Sequence, residues 1–471
     1  MKRISLLVSF SFLFVFLLIN CAFAEEGTKI KVGLASSLNQ AEFKVVEGNY
    51  QLIDVATGLV IARPNAGEKW VVSKEGLGLK VLKDNVAFEM PYQGPLLLNP
   101  ENTKQKNVFL FKKVQYSDQL FLQSEDKGIL AVNILDIEKY LYGVVGMEIG
   151  NSAPLEALKA QAVVSRTYAL AQKGKSTRYD VGIDTATQVY GGYSAQSGSG
   201  WSRVKEAVDD TKGLVIYYNS SIIKAFFHAN SGGYTENCEN VFVENLPYLK
   251  GVPAPEDEYA LSYAHQSNGW PASTYKWEKT ISRTDLKKQV DAWNNKSSNK
   301  INVGEIIDFT LSRTQQNSTA KTVSNRVTQF DFVGTNGTKS FYKDSIRSVL
   351  GLKSTLFDLQ LDSTITVLDG NGKKKTYNYA NNLQTVSANG TTAFINEAEN
   401  YYWVQGSQAQ KNIPKVFQTV VINGKGYGHG LGMSQWGAWG LASQGYNYIS
   451  IIKHYYNQDK NDGHLTIAQY R

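Results

Sequence analysis

The sequence predicts an α+β protein, strand-rich, with a buried helix after Glu148 and small β modules beside the main domain. Three observations carry this. Residues 25 to about 125 alternate apolar and polar side chains, the period of half-buried strands. The stretch from Pro154 to Gln172 is apolar on nearly every side, as a buried helix is. Tyr (27) and Phe (20) are abundant, which suits strand-rich cores and also suits stacking on sugar faces.

Length and composition set the bounds. At 471 residues the chain can hold two or three domains with full cores. Hydrophobic content of 42% with 19% charged residues marks a folded chain and excludes a disordered one. Residues 1–24 read as a secretory signal peptide, with Lys2 and Arg3 before the apolar run Leu6 to Asn20 and Ala22-Phe23-Ala24 as the cleavage site. Cys21 suggests a lipoprotein, but Asn20 before it fits a lipobox poorly, so cleavage after Ala24 is favoured. No later run of 18 apolar residues is present, so no transmembrane segment is expected after cleavage.

Loss of Lys2 and Arg3 lowers the formal charge from +7 to +5, suited to an anionic cell wall. Nucleic acid is not expected as a partner, because the lysines are scattered. Only Cys238 would remain after cleavage, so no disulfide framework is expected.

In chain order, Ile30, Val32 and Leu34 share one strand face, and Asn49 to Val55 and Trp70 to Val72 continue the pattern. Tyr92-Gln93-Gly94-Pro95 is a turn. Ile129 to Leu135 is strand-like and leads through Ile137 to Val145 into Glu148. The helix then has Pro154 in its first turn and Ser152 as a cap, and stops at Lys173-Gly174-Lys175. Arg166 lies inside it and either snorkels outward or is buried with an anion or several acceptors.

A polar and aromatic loop follows, Asp184 to Tyr193, with Gln188 and Tyr190. Trp201 to Asp210 reads as a helix, and Gly213 to Tyr218 and Ile222 to His228 as hairpin strands. The segment from Phe227 to Asn237 is dense in hydrogen-bonding groups around a glycine pair, Gly232-Gly233. Residues 250 to 320 say less. Trp270 and Trp277 suit a local core, and Asp285 to Asn294 suits a helix. Arg326 to Gly337 reads as strand and turn, and Asp344 to Leu350 as a short helix. Residues 358 to about 415 read as hairpins of an inserted β subdomain, with turns at Asp369-Gly370 and Asn389-Gly390.

Glycine falls on every second residue from Gly424 to Gly432. An extended chain would place all five on one face, a bare ribbon open to a backbone or a ligand. Tyr427 and His429 lie on the opposite face. A flat edge strand is the structural alternative. The spacing matches neither a P-loop nor a dinucleotide fingerprint. Helices are expected over Trp436 to Gln444 and Ile449 to Tyr456.

The chemistry narrows by elimination. His228 and Cys238 would need two further ligands to hold zinc. There is no HExxH motif and no GxSxG elbow. Glu148, between Met147 and Ile149, is the sharpest candidate for a general acid, which must hold its proton near neutral pH, as burial promotes. Glu156 is a rival, although a carboxylate in a first helical turn commonly pairs with the helix dipole.

Together these stretches resemble the stage II sporulation protein D and amidase-enhancer family. The resemblance rests on Tyr140 to Val145 with Glu148, Ala157 to Ala162, Arg166 to Ala169, and Gln188-Val189-Tyr190. It continues through His228 with Ser231 to Thr235, Leu350 to Ser354 with Phe357, and Gly428 to Ala438. The match spans roughly residues 115 to 460. The implied divisions are a β-rich module at 25–114, a catalytic domain at 115–357, the insert at 358–415, and the rest of the catalytic domain at 416–471.

The resemblance implies a lytic transglycosylase that cleaves peptidoglycan strands already freed of peptides. Glu148 would be the single catalytic acid and base. Arg166, Tyr168, Gln188, Tyr190, His228, Ser231, Gly232, Gly233, Tyr234, Thr235, Tyr427, His429, Gln435 and Trp436 would bind substrate. No cofactor is implied, since the mature chain lacks the second cysteine that zinc-holding members carry. A cell-wall amidase is the implied partner, and a non-catalytic amidase enhancer the alternative function. Gly146 and Ile149-Gly150 stand where the family often has Pro and Met-Pro, so the turn beside Glu148 is expected to differ.

Overall fold

The computed structural model describes residues 27–88, 91–263, 271–315, 318–368, 371–379, 384–386, 388–394, 400–405 and 408–470. The signal peptide with Cys21, Trp270 and the turn at Asp369-Gly370 lie outside the described residues. The architecture is α+β, in two compact units. One comprises residues 1–140 and 173–194, the other 141–172 and 195–471.

Among the described residues the first unit is a β-sandwich of twelve strands. They are β1 (Lys29–Leu38), β2 (Gln40–Glu47), β3 (Tyr50–Asp54), β4 (Val60–Ala62), β5 (Trp70–Glu75) and β6 (Gly78–Lys83). Then come β7 (Val86–Ala87), β8 (Leu96–Pro100), β9 (Val108–Phe111), β10 (Val114–Ser117), β11 (Gln119–Glu125) and β12 (Gly128–Asp136). They form two six-stranded sheets, ordered β1-β12-β11-β8-β3-β4 and β10-β9-β2-β5-β6-β7. Alternation works as read: Ile30, Val32 and Leu34 are buried, as are Phe43, Leu52, Trp70 and Val72. The sandwich runs past residue 114, because β12 is buried along most of its length and pairs with both β1 and β11. Chain 173–194 belongs with it through a Val32–Val181 bridge and a Tyr190 hydroxyl that donates to Asn133 Oδ1 at 2.9 Å.

Helix α1 (Ile137–Tyr142) leads the chain into the second unit. There follow α2 (Val145–Ile149), α3 (Leu155–Gln172), α4 (Trp201–Asp210), β13 (Leu214–Tyr218), β14 (Ser221–Ile222) and β15 (Phe227–His228). Short helices α5 (Cys238–Val241) and α6 (Ala272–Tyr275) flank a 3-10 segment at Pro255–Ser262. Next come β16 (Lys276–Ser282), α7 (Arg283–Lys296), β17 (Ile306–Ser312), β18 (Gln329–Gly334), β19 (Gly337–Tyr342), α8 (Ser345–Leu350) and β20 (Phe357–Leu361). Three hairpins pair β21 (Ile365–Leu368) with β22 (Lys374–Tyr377), β23 (Gln384–Val386) with β24 (Thr392–Phe394), and β25 (Tyr401–Gln405) with β26 (Gln410–Pro414). The chain closes with β27 (Thr419–Lys425), β28 (Met433–Ser434), α9 (Gln435–Ser443), α10 (Tyr448–Asn457) and β29 (Leu465–Gln469).

Two apolar clusters hold this unit. One gathers α3, α9 and α10 with β13, through Val163, Val164, Ile216, Leu431, Ala438, Ile451 and Tyr455. The other gathers α7, α8 and the strands of 276–361 with β27, through Phe309, Phe330, Phe332, Phe341 and Phe417. Apart from Lys159, helix α3 is buried from Ala157 to Ala171, so its mostly small, apolar sequence packs on nearly every side. It begins at Leu155, and the Pro154 carbonyl, not the Ser152 side chain, stands at its start, accepting from Leu158 N at 3.0 Å.

Two expectations are corrected. Ile222 to His228 is not one hairpin strand, since β14 pairs with β13 while β15 pairs in parallel with β28. Nor is 424–432 an extended ribbon. Gly426, Gly428, Gly430 and Gly432 have φ of 80°, 114°, 81° and 63°, so the chain turns at each. What comes close is the protein itself: a Cβ at Gly428 would lie 2.6 Å from His228 Cβ, and one at Gly430 would lie 2.6 Å from the Arg326 guanidinium.

Candidate active site

Glu148 sits on the one-turn helix α2. Of its two apolar neighbours only Ile149 is buried, at 7% exposure, while Met147 is 49% exposed. Gly150 ends the helix with φ 88°, a conformation closed to proline, whose ring holds φ near −65°. The departure from Met-Pro at this point therefore has a structural consequence, a positive-φ turn two residues after the acid. The Trp439 ring lies over that turn, 3.8 Å from where a Gly150 Cβ would be.

The carboxylate meets an amide. Gln435 Nε2 donates to Glu148 Oε2 at 3.2 Å and to Gln161 Oε1 at 3.4 Å, and Gln161 Nε2 donates to Ser165 Oγ at 2.9 Å. Gln161 and Ser165 are on α3 and fully buried, and Gln435 opens α9 and is 8% exposed. This chain of amides runs from the core to a partly exposed acid. A buried amide must place its donors, so the network fixes the carboxyl's orientation. Tyr168 is close enough to feel the acid: its hydroxyl pKa is raised, by burial first, and the Glu148 charge adds to that.

Aromatic rings cluster at the start of α9. Trp436 and Trp439 stack at 4.9 Å, and Tyr263 packs against both at 5.2 Å. Tyr263 is half-buried, so part of a ring surface is available beside the tryptophans. Glu156 is accounted for elsewhere. It accepts from Tyr448 N at 2.8 Å at the start of α10 and pairs with Lys159 at 3.4 Å.

A second carboxylate, Asp257, organises the Ser-Gly-Gly loop. It is fully buried. Asp257 Oδ2 accepts from Ser231 N and Gly233 N, each at 3.0 Å, and from Ser231 Oγ, while Oδ1 accepts from Ser434 Oγ. Burial pushes its carboxyl pKa up, and these donors pull the other way. Ser434 also caps α9, accepting from Gly437 N at 3.3 Å. Asp257 thus ties the 231–233 loop to the helix whose first residue, Gln435, holds Glu148.

The two histidines meet each other, with rings 5.5 Å apart. His228 Nδ1 lies 3.0 Å from the Leu431 carbonyl, and Leu431 N donates to His429 Nδ1 at 3.0 Å. Backbone bonds therefore set opposite tautomers in the neutral rings. Burial lowers both pKa values, that of His429 to about 4.

The remaining candidates have structural positions. Arg166 is fully buried and donates to the carbonyls of Leu214 at 3.1 Å and Val208 at 3.5 Å. These bonds join α3 to α4 and β13. Gln188 accepts from Tyr140 at 3.0 Å and, like Tyr190, is buried within the first unit. Gly232 N donates to Asn230 Oδ1 at 2.8 Å. Tyr234 bridges Pro253, and Thr235 exchanges bonds with Val252 at 2.9 and 2.8 Å. Tyr427 is 44% exposed, with its backbone paired to Asn230. Gln161, Asp257, Tyr263, Trp439 and Arg326 were not singled out from sequence. For Gln161 a signal existed, a polar side chain on a helix apolar all round.

Residues 125–218 match the profile of the stage II sporulation protein family, and residues 256–380 match that of a domain of unknown function. The amidase enhancer of Bacillus subtilis is 32% identical over 330 residues, which cover 67% of this chain and 39% of that protein. The chain thus spans about two fifths of that relative's length. An uncharacterized protein of Brachyspira hyodysenteriae is 27% identical over 420 residues, 88% of this chain and 87% of the relative. The stage II sporulation protein D of Bacillus amyloliquefaciens is 27% identical over 341 residues, 69% of this chain and 74% of the relative.

Proposed function

The chain belongs to the stage II sporulation protein D family, and on that premise we propose that it is a lytic transglycosylase acting on peptide-free peptidoglycan strands outside the membrane. The observation that carries the reading is the Gln161–Gln435–Glu148 amide chain, which ends on one partly exposed carboxyl. A single carboxyl is enough for this reaction. Protonated Glu148 gives its proton to the glycosidic oxygen that follows N-acetylmuramic acid, and the C1–O bond breaks. The carboxylate then takes the proton of that sugar's C6 hydroxyl as the hydroxyl oxygen bonds to C1. A 1,6-anhydro ring closes, no water is consumed, and Glu148 is again protonated. Two-carboxylate glycosidases differ, since they place a second acid for water or a covalent intermediate.

The Gln435 donor holds one carboxylate oxygen, so proton gift and proton capture occur from one fixed orientation. Tyr263, half-buried against the buried Trp436 and Trp439, supplies ring surface where a sugar face can stack.

A second reading has its own support, the amidase enhancer among the relatives. In it the chain binds the wall and speeds a partner amidase without turnover. Purified protein and a Glu148→Gln variant, each incubated with peptide-free strands, separate the two. The transglycosylase reading expects anhydro ends from the unaltered chain alone. No anhydro ends from either, with a faster partner amidase, would favour the enhancer.

A further inference from the structure

Away from Glu148 the second unit has an open cleft of about 710 Å³, which does not count that acid among its lining residues. This is within the range of small-ligand sites, about 300–1,000 Å³. Its floor is one face of the β16-β27-β20 sheet. There Lys276 stands directly opposite Lys425 in the antiparallel ladder. Like charges across a ladder repel. Among the described residues neither lysine is in an ion pair, and Lys425 rests over the Tyr275 ring at 5.7 Å. The nearby Arg313 and Asp358 are matched to each other at 2.6 Å. Glu278 and Asn423, two residues along their strands from the lysines, form the next rung on the same face.

The wall above Lys425 is Gly232, from the Ser-Gly-Gly loop. A Cβ there would come within 2.9 Å of Lys425 Cβ and 3.0 Å of Leu356 Cδ2. Glycine therefore keeps the approach to the lysine pair open, while Asp257 holds the loop from below. The Glu148 chemistry gives this part of the motif no work.

We infer that the Lys276–Lys425 rung is an anion subsite for the free lactyl carboxylate of a muramic acid unit in the bound glycan strand. The inference rests on the transglycosylase reading for its ligand. Removing the stem peptide turns a neutral amide into a carboxylate, and that charge lies between two unneutralised ammonium groups. Glu278 and Asn423 then face sugar hydroxyls and the acetamide, as acceptor and amide. A strand still carrying peptides has a neutral amide in place of the lactyl carboxylate, so the cleft reads whether peptide removal has occurred. A carboxylate of a stem peptide has the same charge chemistry, and the test separates the two sources.

The experiment measures binding to the full-length Glu148→Gln protein by calorimetry, so no turnover is needed. Ligands are peptide-free strands, the same strands with the lactyl carboxyl converted to its methyl amide, and free stem peptide as competitor. The expected result is at least tenfold tighter binding of the free-carboxylate strand, with no competition by the peptide. In the Lys276→Gln/Lys425→Gln background that preference disappears. Both lysines are exposed, so the unfolding temperature should not move. Equal binding of the two strands, a preference that survives the double substitution, displacement by the peptide, or no strand binding each overturns the inference. Failure of the transglycosylase reading is seen separately, as absence of anhydro products from the unaltered chain.

Discussion

Two carboxylates in the second unit differ in the way that separates chemistry from architecture. Asp257 is fully buried and takes four donors, two from backbone and two from serine hydroxyls. Glu148 is partly exposed, on a single helical turn, and is oriented by an amide that is itself held from the core. The first has its lone pairs occupied and cannot approach a substrate. The second is positioned but reachable. Both are tied to the start of α9, Asp257 at its cap and Glu148 at its first residue.

This contrast can be broken in order of expected effect. Glu148→Gln should abolish turnover, by about 10³-fold, while the unfolding temperature stays the same, because its amide keeps the size of the acid and loses only the proton. Product analysis and calorimetric melting on one sample check both halves. Asp257→Ala should do the reverse. It strands four buried donors, and a loss of about 3 kcal/mol or more in denaturant unfolding is expected, with activity falling only as the fold does. Gly430→Ala tests the packing of the glycine run on Arg326. It asks a side chain to adopt φ 81° and to displace the buried Arg326 guanidinium, for about 2–3 kcal/mol in the same assay. Gln435→Ala should cost about tenfold in kcat, roughly 1.4 kcal/mol, with little change in binding, since it loosens the acid without removing it.

The smallest effect is one of pH. Burial is the main cause that holds the His429 pKa near 4, with Asp344 opposing and Arg347 and Arg326 adding to it, against 6.5 for the free side chain. His228 is shifted in the same direction. The unfolded chain therefore binds more protons between those values. The stabilisation is fully present above about pH 6.5 and is lost as pH falls toward 4. Melting temperatures across that window should fall with pH, and His429→Gln should flatten the slope.

Much of this was legible in the sequence, and the boundary is physical. Period-two alternation placed Ile30, Val32 and Leu34 on one buried face because a pleat alternates faces in every sheet. The α3 helix could be read because small apolar residues on every side have only one place to go. Glu148 stood out through its surroundings and the family resemblance. Asp257 did not, because its role depends on Ser231 and Ser434, which lie 26 and 177 residues away and carry no local pattern. The glycine run was misread for a related reason. Spacing tells that side chains are absent, not which sign φ takes, and the turns come from close approach to His228 and Arg326. Arg166 could be read as buried or snorkelling, and the fold decides it: the side chain is buried and donates to the carbonyls of Val208 and Leu214, which lie far along the chain.

The central claim is that one carboxyl both gives and takes a proton, with no water in the bond-breaking step. Digestion of peptide-free strands in H₂¹⁸O, followed by mass spectrometry of the new ends, tests it most directly. The account predicts 1,6-anhydro-N-acetylmuramic acid ends without label from the unaltered chain and none from Glu148→Gln. Reducing ends carrying ¹⁸O would show that water attacks, and would contradict it.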